Sequence, residues 1–537
     1  MNMRYVAAWV AATVCAMLGS TSLLAAFAPS SPVHVDITLD WEVNPRPVPA
    51  AFVGVSVSAS AEGNGVSQSG VATSAASSTA ELRPKMLRFP DDVSQSYHFA
   101  NATLEGFMNT FELWSLADAA GVPNIMLTAN MATGGPSEAR DWVAYSNLPA
   151  STPEGGLRAA QAGGSQTPFD VRYWLLGEDI RAYSEKFETA DDYAEAALRN
   201  ASAMKATSPG IQVGVWIDDG STQDGRNWND ALLTRLRLAD PLQNQTGGAL
   251  IDFVAVSVRI EVPNRPLTDG ALYPSLYAFS EEHAVAVLGD AEARVQQKLR
   301  VPLPIAVYRY SVDFGAEGWN HDKADSLGTA IALAGMMNAF LRRDEVFTAV
   351  YAGLNRDGFE ALIKVPTAFD LPVEQRFGLN AFGEVLSAYG QLASGSSLTV
   401  TYAGSGSASE RARANFRAPA LGRWPVAASV PLVSAGATLD LEDGQMALFL
   451  ASRSLTDRVV VHLKVQNTQA ASLNASAYVQ TLAADALSTD AYTGVLHVRP
   501  RATQENLQSA PPEPGVFRFE FTLERNSFTS FAFTTRL

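Results

Sequence analysis

The stretch YWLLGED, residues 173–179, places two adjacent acids directly after an apolar run. Its apolar run has the length of a strand and ends in Gly-Glu-Asp, so we predict a strand that stops at two adjacent carboxylates, Glu178 and Asp179. In α/β barrels, the side chains that carry function lie at the carboxyl ends of the strands. The stretch therefore predicts a barrel strand that presents acidic groups at the barrel mouth.

A second apolar run, PIAVYRYS at residues 304–311, is expected to end at the same mouth. It carries Arg309 between Tyr308 and Tyr310. A guanidinium stays protonated, and it can neutralise carboxylates that would otherwise crowd like charges into one cleft. We therefore expect Arg309 to form an ion pair at the mouth. The candidate partners are Glu178, Asp179, Asp91 and Asp92.

Eight apolar runs of β type alternate with amphipathic stretches, which is the pattern of a parallel α/β fold. The predicted strands are 52–58, 86–89, 124–130, 171–177, 211–217, 251–258, 304–310 and 347–354. Eight strand–helix units over about 340 residues fit a (β/α)8 TIM barrel, which we place at residues 49–395. Two stretches rich in small residues, Ser56 to Ala80 and Ser151 to Thr167, are interpreted as flexible loops.

The pattern changes after residue 395 to alternating apolar and polar residues without helical periodicity. Residues 396–537 are therefore predicted to form an antiparallel β-sandwich. The run Val33 to Val43 alternates in the same way. We expect residues 29–48 to add an N-terminal strand to this sandwich.

The N-terminus has the layout of a secretory signal. Arg4 precedes an apolar run from Tyr5 to Leu18, and small residues follow, so residues 1–28 are predicted to be a signal peptide. The protein is then secreted or on the cell surface, and contact with a membrane is expected only if the segment is retained as an anchor. The single cysteine, Cys15, lies in this segment, which leaves the mature chain without a thiol or a disulfide.

Composition and motifs exclude several classes of function. The net charge is −16 and no basic stripe is present, which argues against binding nucleic acid. The six histidines have no metal-ligand spacing, and no phosphate loop or dinucleotide fingerprint occurs. We therefore expect neither a metal site nor a cofactor.

Four segments resemble glycoside hydrolase family 51, the retaining α-L-arabinofuranosidases of the (β/α)8-barrel clan. LRFPDD (87–92) is similar to the Arg-aromatic-Pro-Gly-Gly strand end of the family. LTANMATGGPSEARDWVAYSN (127–147) resembles its Asn-x-Gly-Thr-Gly segment and the helix after it. YWLLGED is similar to the strand that bears the acid/base glutamate, and IDFVAVSVRI (251–260) resembles the strand that usually carries a histidine.

The resemblance also shows where this chain departs from the family. It places Asp179 at the acid/base glutamate, Glu178 at the preceding asparagine and Arg309 at the nucleophile. Retaining glycosidases need two carboxyl groups about 5–5.5 Å apart, and a guanidinium cannot attack an anomeric carbon. Asp91 and Asp92 replace the paired glycines, and Ser257 or a neighbour replaces the histidine.

The expected partner is an oligo- or polysaccharide. The candidate substrate-binding residues are those that the resemblance or an aromatic ring places at the mouth: Arg88, Asp91, Asp92, Asn130, Trp174, Tyr308, Tyr310 and Trp319. Trp319 is expected to be exposed because it lies among loop residues, and flat aromatic faces stack on sugar rings.

Three hypotheses for function follow. The first is a secreted, glycosidase-like barrel that binds a glycan and has lost the retaining mechanism. The second is an active retaining glycosidase of the arabinofuranosidase type, with Asp179 as acid/base and a relocated nucleophile at Asp313 or Glu317. The third is a structural surface protein that uses the barrel as a scaffold. An open cleft with exposed aromatics favours binding, whereas a cleft filled by side chains favours a scaffold.

Overall fold

The computed structural model describes residues 32–41, 46–59, 66–67, 70–71, 73–91, 93–102, 107–161, 167–239, 249–315, 318–354, 362–364, 378–403, 414–466, 472–483, 497–506 and 515–536. The predicted signal peptide at residues 1–28, Asp92 and Glu317 lie outside the described residues.

Eight parallel strands close into a barrel in chain order. One strand, β1 (Val33–Asp40), precedes them and belongs to the C-terminal domain. The barrel strands are β2 (Val53–Ser56), β3 (Met86–Phe89), β4 (Ile125–Ala129), β5 (Tyr173–Leu176), β6 (Gln212–Trp216), β7 (Phe253–Glu261), β8 (Ile305–Asp313) and β9 (Val346–Tyr351). Parallel pairing of β9 with β2 closes the ring. The predicted (β/α)8 barrel is therefore confirmed.

Helices cover the outside of the barrel, which buries its strands on both faces and explains their continuous apolar runs. The helices are α1 (Thr73–Leu82), α2 (Thr110–Ala120), α3 (Pro136–Asn147), α4 (Pro153–Gln161), α5 (Ala190–Thr207), α6 (Gln223–Ala239), α7 (Asp269–Arg294), α8 (Leu327–Leu341) and α9 (Ala381–Leu392). Short helical turns span Ile180–Tyr183, Val295–Leu299 and His321–Lys323. Asn109 and Thr189 begin α2 and α5 with capping boxes that satisfy free amide groups of the first turn. Within the described ranges, no helix combines the length and apolar character that a membrane span requires.

The two stretches predicted to be flexible loops both contain a helix, which corrects that prediction. Most of α1 lies in the first stretch, and α4 lies in the second. The prediction gave too little weight to alanine, which has the highest helix propensity of all residues. Tertiary contacts also hold α4, because the buried Arg158 guanidinium donates to the carbonyl oxygens of Tyr145 at 2.6 Å and Leu148 at 2.8 Å.

Two facing sheets form the C-terminal β-sandwich, which is the predicted second part of the fold. Its further strands are β10 (Thr399–Ala403), β11 (Asn415–Ala418), β12 (Ala427–Pro431), β13 (Val433–Asp440), β14 (Gln445–Ser452), β15 (Val459–Gln466), β16 (Ser472–Ala483), β17 (His497–Asn506), β18 (Phe517–Leu523) and β19 (Ser527–Arg536). The smaller sheet has the order β10-β1-β15-β18, and β1 pairs antiparallel with β10 but parallel with β15. The N-terminal run thus lies inside this sheet, and one of its pairings is not antiparallel.

The larger sheet runs from Arg46–Pro47 through Ser396–Ser397, β13, β14, β19 and β16 to β17. β11 and β12 form a separate hairpin, and two-residue pairings join 66–67 to 70–71 and 363–364 to 378–379. One face of the larger sheet packs on the smaller sheet, and the other packs on the barrel helices, so β13 and β14 are buried almost throughout. Phe449 of β14 stacks on Tyr389 of α9, with ring centroids 4.2 Å apart. The barrel core therefore extends to the outer face of the larger sheet, and the interior of the sandwich forms a second core.

A buried ionic group also joins the two domains. Glu281 of α7 accepts hydrogen bonds from Arg342, just after α8, and from Arg453, just after β14. Burial would raise the pKa of Glu281, but Arg453 and Arg342 together lower it to about 2. Glu281 is therefore ionised at neutral pH and tied to both domains.

Candidate functional site

The site is the barrel mouth, where the carboxyl ends of β2 to β9 meet, and a sharp turn after β5 shapes its centre. Gly177 has a φ of 74°, and a Cβ at this position would collide with Ile180 and lie 3.0 Å from the Cγ of Met131. Asp179 is also left-handed, with a φ of 47°, a conformation that aspartate tolerates better than most residues. The turn buries Glu178, which is 6% exposed, and leaves Asp179 half-buried.

Glu178 is held by two donors from the neighbouring elements of the mouth. The Arg88 guanidinium, fully buried at β3, donates to Oε2 of Glu178, and the Ser94 hydroxyl donates to Oε1. Arg88 also donates to Oδ1 of Asp91 at 2.9 Å and to the hydroxyl of Ser56 at 3.1 Å. Both oxygens of Glu178 are thus occupied by the protein itself.

The electrostatics of this group reflect burial and pairing. Burial raises the pKa of Glu178 to about 7, and the nearby Asp91 adds to this effect, while Arg88 opposes it. Burial would lower the pKa of Arg88, but Glu178 and Asp91 hold it above its ordinary value. Arg88 therefore stays charged, and it is the cation that compensates the buried carboxylates.

Asp179 is the half-buried carboxylate of the mouth, and it faces a tyrosine of β8. The Tyr308 hydroxyl donates to Oδ1 of Asp179 at 3.1 Å and accepts from Nε1 of Trp216 at 3.2 Å. Burial, together with Asp179 and Glu178, raises the pKa of Tyr308 well above its usual range. Tyr308 is consequently a neutral donor, and Asp179 has an oriented carboxylate that can accept or donate a proton at its other oxygen.

A β-bulge in β8 sets the directions of its side chains. Val256 pairs with Val307 but Ser257 pairs with Arg309, so Tyr308 is an extra residue in the strand. Bulges re-aim side chains and are frequent beside active sites. As a result, the Tyr308 hydroxyl reaches Asp179 at the mouth. Tyr310 packs in the core, where its hydroxyl donates to the sulfur of Met337, 3.1 Å away.

Arg309 is at the mouth, as predicted, but its expected ion pair is not formed with Glu178, Asp179 or Asp91. Among the described residues it makes no ion pair within 4 Å, and its buried Nε has no hydrogen-bond partner. Burial would lower the pKa of Arg309, yet Asp91 and Glu178 keep it above the usual range, so the carboxylates act on it through space. The fourth candidate partner, Asp92, lies outside the described residues, so a pair with it stays a prediction. Arg88 instead is the arginine that bonds Glu178 and Asp91.

Two predicted sugar-binding residues, Trp174 and Tyr310, lie in the core instead. Both are fully buried. Trp174 packs edge-on against Trp142 with centroids 5.5 Å apart, and its indole donates to the Val171 carbonyl at 3.1 Å. Neither ring has a free face for a sugar, and this corrects the prediction for these two residues.

Asn130 and Trp319 lie on loops of the mouth in different environments. The Asn130 side chain is 6% exposed; it accepts from the Thr133 amide at 2.9 Å and donates to the Thr133 hydroxyl at 2.7 Å and to the Tyr97 carbonyl at 3.3 Å. Trp319 is 69% exposed, and its amide donates to the Asn264 side chain at 3.2 Å. Asn130 therefore shapes the rim, and Trp319 presents a free aromatic surface.

Sequence reasoning missed Ser94 and Tyr183. Ser94 lies in a loop and carries no motif, so only the fold reveals its bond to Glu178. Tyr183 is 38% exposed on the turn after β5, and burial together with Glu178 and Asp179 raises its pKa, which places it near both carboxylates. Tyr183 follows Asp179 by only four residues, and this closeness in the sequence was the available sign that it lies at the mouth.

The relocated nucleophile has little support in the geometry of β8. The strand continues to Asp313 instead of ending at Tyr310, so Asp313 lies about 13 Å along the strand from Arg309 at 3.3 Å per residue. Its Oδ1 accepts from the Gly315 amide at 2.8 Å, and its Oδ2 is 3.8 Å from Arg259. Asp313 is thus engaged at the far end of the strand, and Glu317 lies outside the described residues.

Metal chemistry has no preformed ligand set in the described part of the chain, where no three His, Cys, Asp or Glu side chains converge to hold an ion. The mouth presents Asp179, an oriented, half-buried carboxylate, beside the Arg309 guanidinium. Such a pair can hydrogen-bond hydroxyl groups. Double displacement requires two carboxylates about 5–5.5 Å apart, and the position at which the resemblance places the second one holds Arg309.

Solved structures share the whole architecture. A family 51 α-L-arabinofuranosidase from Bifidobacterium longum superposes with a TM-score of 0.71 and 17% identity, covering 94% of this chain and 100% of that chain. The fold is that of the family 51 arabinofuranosidases. The α-L-arabinofuranosidase of Thermotoga maritima gives a TM-score of 0.69 with 15% identity, over 93% and 99% of the two chains. These identities establish the fold alone.

Sequence similarity to curated proteins covers a smaller part of the chain than the structural match does. An exo-α-(1→6)-L-arabinofuranosidase of Bifidobacterium longum is 27% identical over 132 residues, which is 24% of this chain and 25% of that relative. The matched segment thus spans about a quarter of the arabinofuranosidase. No protein-family model matches the chain.

Proposed function

We propose that this protein is an exported, arabinofuranosidase-like barrel that binds a glycan at its mouth and does not hydrolyse it by the retaining mechanism. The observation that carries the proposal is Arg309 on β8, at the mouth and beside Asp179, where the family resemblance places the nucleophile. A protonated guanidinium has no lone pair with which to form a glycosyl-enzyme bond.

The two described acids after β5 do not supply the nucleophile whose position Arg309 occupies. Glu178 is buried and both of its oxygens accept hydrogen bonds, from Arg88 and from Ser94. Asp179 occupies the acid/base position, and Tyr308 fixes one of its oxygens. One free carboxylate can assist proton transfer, but retaining hydrolysis needs a second one on the other side of the anomeric carbon.

Binding is supported by the accessible groups around the mouth. Trp319 and Tyr183 are exposed aromatic rings on two loops, and Asp179 and Arg309 are partly accessible polar groups between them. Aromatic faces stack on sugar rings, and charged groups bond to their hydroxyls. Glycans that carry α-L-arabinofuranosyl residues are the ligand class we propose, because the two Bifidobacterium longum proteins that the chain resembles are α-L-arabinofuranosidases.

A scaffold role is the second candidate, and a specific observation favours it. The inner residues of the mouth, Arg88, Asp91, Glu178 and Tyr308, are all buried and bonded to one another or to their neighbours. Side chains thus fill the depth of the mouth. If the protein is only a scaffold, its rim has no affinity for sugars. A binding measurement therefore separates the two candidates.

Calorimetric titration of the purified protein with arabinan and arabinoxylan oligosaccharides tests the proposal. We expect saturable binding, weakened about 2- to 12-fold in Trp319→Ala, which corresponds to the loss of one aromatic contact of about 0.5–1.5 kcal/mol. Leu238→Ala is the matched control, since Leu238 is 62% exposed on α6 and lies away from the mouth. No binding by the natural protein to any such glycan would reject the glycan-binding proposal in favour of the scaffold.

Export is a separate part of the proposal and rests on the pattern of residues 1–28. Expression of the full chain in a secreting host, followed by fractionation and N-terminal sequencing, tests it. We expect a shortened chain outside the cytoplasm. A full-length chain that stays in the soluble cytoplasmic fraction would reject export.

A further inference from the structure

Three side chains at the rim of the mouth form a hydrogen-bonded series that the glycan proposal does not use. We name Thr133, His98 and Glu138 the rim triad. The Thr133 hydroxyl oxygen lies 3.2 Å from Nε2 of His98, and Nδ1 of His98 lies 2.9 Å from Oε1 of Glu138. Thr133 is exposed, and the side chains of His98 and Glu138 are 32% and 26% exposed, so small molecules can reach the triad.

The carboxylate dictates the tautomer of the imidazole. Glu138 can only accept a hydrogen bond when ionised, so the proton of neutral His98 lies on Nδ1. Nε2 then carries the lone pair and faces the Thr133 hydroxyl. A hydroxyl beside an imidazole that a carboxylate orients is the arrangement of nucleophile, general base and positioning acid in acyl-transfer enzymes.

The surroundings of Thr133 favour negative charge on its oxygen. The Asn130 side chain donates to this oxygen at 2.7 Å. Thr133 also lies just before α3, a twelve-residue helix whose first residue is Pro136 and whose N-terminus has no side-chain cap. Helix N-termini stabilise anions, and the nearby Lys186 ammonium donates to the Gly134 carbonyl at 3.1 Å.

Gly134, the residue after Thr133, is needed for this geometry. A Cβ on Gly134 would lie 2.5 Å from the Asn130 carbonyl oxygen and 2.7 Å from Oε2 of Glu138. The chain therefore passes close to the carboxylate, which brings Glu138 of α3 back towards His98. Residues from the loop after β3 and the loop after β4 meet at this one point.

We propose that the rim triad is a nucleophilic site that hydrolyses carboxylic esters. Thr133 Oγ1 attacks the ester carbonyl carbon while His98 Nε2 takes its proton, and the oxyanion faces the N-terminus of α3. The carbonyl re-forms, the ester C–O bond breaks, and His98 returns the proton to the departing alcohol. His98 then takes a proton from water, whose oxygen attacks the acyl carbon; the bond from that carbon to Thr133 Oγ1 breaks, His98 returns the proton to Oγ1, and a carboxylic acid leaves. An O-acylated sugar as the natural ester rests on the proposed function, whereas the ester chemistry does not.

A purely structural role makes a different prediction. The Thr133 hydroxyl also has the Gln95 carbonyl oxygen as an acceptor at 3.2 Å, in competition with Nε2 of His98, so the same contacts could serve only to join two loops. In that case, removing the hydroxyl would lower the melting temperature without affecting any reaction. Covalent chemistry on Thr133 separates the two roles.

The test uses the full chain with 4-nitrophenyl acetate and no sugar, so its outcome is independent of glycan binding. We expect turnover well above that of free imidazole at equal concentration, and a trapped acetyl group on Thr133 by peptide mass spectrometry. Thr133→Val, which is nearly isosteric, should lose both, and Thr133→Ser should keep both. His98→Ala should lose about 100-fold or more in rate and recover part of it with added imidazole.

Ser137→Ala is the matched control, since Ser137 is the second residue of α3 and its hydroxyl accepts from Arg140 instead of contacting His98. It should leave the rate unchanged. A natural protein no faster than imidazole, or a Thr133→Val variant that folds and keeps the natural rate, would overturn the proposal.

Discussion

At the scale of single residues, Arg88 is the most constrained group of the mouth. It is fully buried and bonded to Glu178, Asp91 and Ser56. Arg88→Met should lower the free energy of unfolding by about 3–5 kcal/mol, because it leaves buried carboxylates without their cation. Arg309→Met, which breaks no direct ion pair with a described residue, should cost clearly less. Urea unfolding of both variants checks this, and equal losses would contradict the assignment of the two arginines.

Glu178 should make stability depend on pH in a specific window. Its folded-state pKa is raised to about 7 from an ordinary value of 4.5, so the folded protein binds more protons than the unfolded chain between these values. Stability from this group therefore falls as pH rises from 4.5 to 7, by an amount on the order of 3 kcal/mol. Glu178→Gln should gain stability relative to the natural protein across this window. Urea unfolding of both proteins at pH 5 and pH 8 measures this. If their free energies of unfolding differ by the same amount at both pH values, the pKa of Glu178 is not raised.

The sequence predicted part of the residue-scale site. Glu178, Asp179 and Arg309 could be placed at the mouth because strand ends are visible in an apolar pattern. The choice of Arg88 as the paired cation was not predictable, since it depends on which buried groups meet across the barrel. Tyr310 was misplaced because the bulge at Tyr308 breaks the simple alternation of side chains.

At the scale of elements, the turn after β5 sets the position of both acids. Gly177→Ala should destabilise the protein by about 1–2 kcal/mol or more, because a side chain is strained at a φ of 74° and its Cβ would collide with Ile180. Gly210→Ala is the control, since no atom lies within 4 Å of a Cβ at that position and no left-handed φ is required there. Thermal melts measure both, and a Gly177 variant as stable as the control would mean that the turn can relax.

The elements themselves were largely predictable. All eight barrel strands were found from short apolar runs, with ends displaced by a few residues, because burial on both faces leaves a continuous apolar signal. α1 and α4 were missed since their serine and glycine content resembles that of a loop. The extension of β8 to Asp313 was also missed, and it decides the distance of that acid from Arg309.

At the scale of the whole molecule, Glu281 couples the barrel to the sandwich through Arg342 and Arg453. Its folded-state pKa of about 2 lies below the ordinary 4.5, so the stability it contributes is present above pH 4.5 and lost as pH falls towards 2. The loss is on the order of 3 kcal/mol. Glu281→Gln should remove this acid sensitivity and be less stable than the natural protein at pH 7. The free energy of unfolding of both proteins, measured from pH 7 to pH 2.5, checks this. If the variant loses as much stability on acidification as the natural protein, the coupling through Glu281 is contradicted.

We propose that this arabinofuranosidase-like barrel has lost retaining hydrolysis because Arg309 occupies the nucleophile position. Hydrolysis of 4-nitrophenyl α-L-arabinofuranoside by the natural protein and by the variant Arg309→Glu, Asp179→Glu, Glu178→Asn tests this proposal. We expect no enzyme-dependent release of nitrophenol by the natural protein and measurable release by the triple variant, which restores the two carboxyl groups of the family pattern. Turnover by the natural protein that Asp179→Asn abolishes would show that the retaining mechanism is intact.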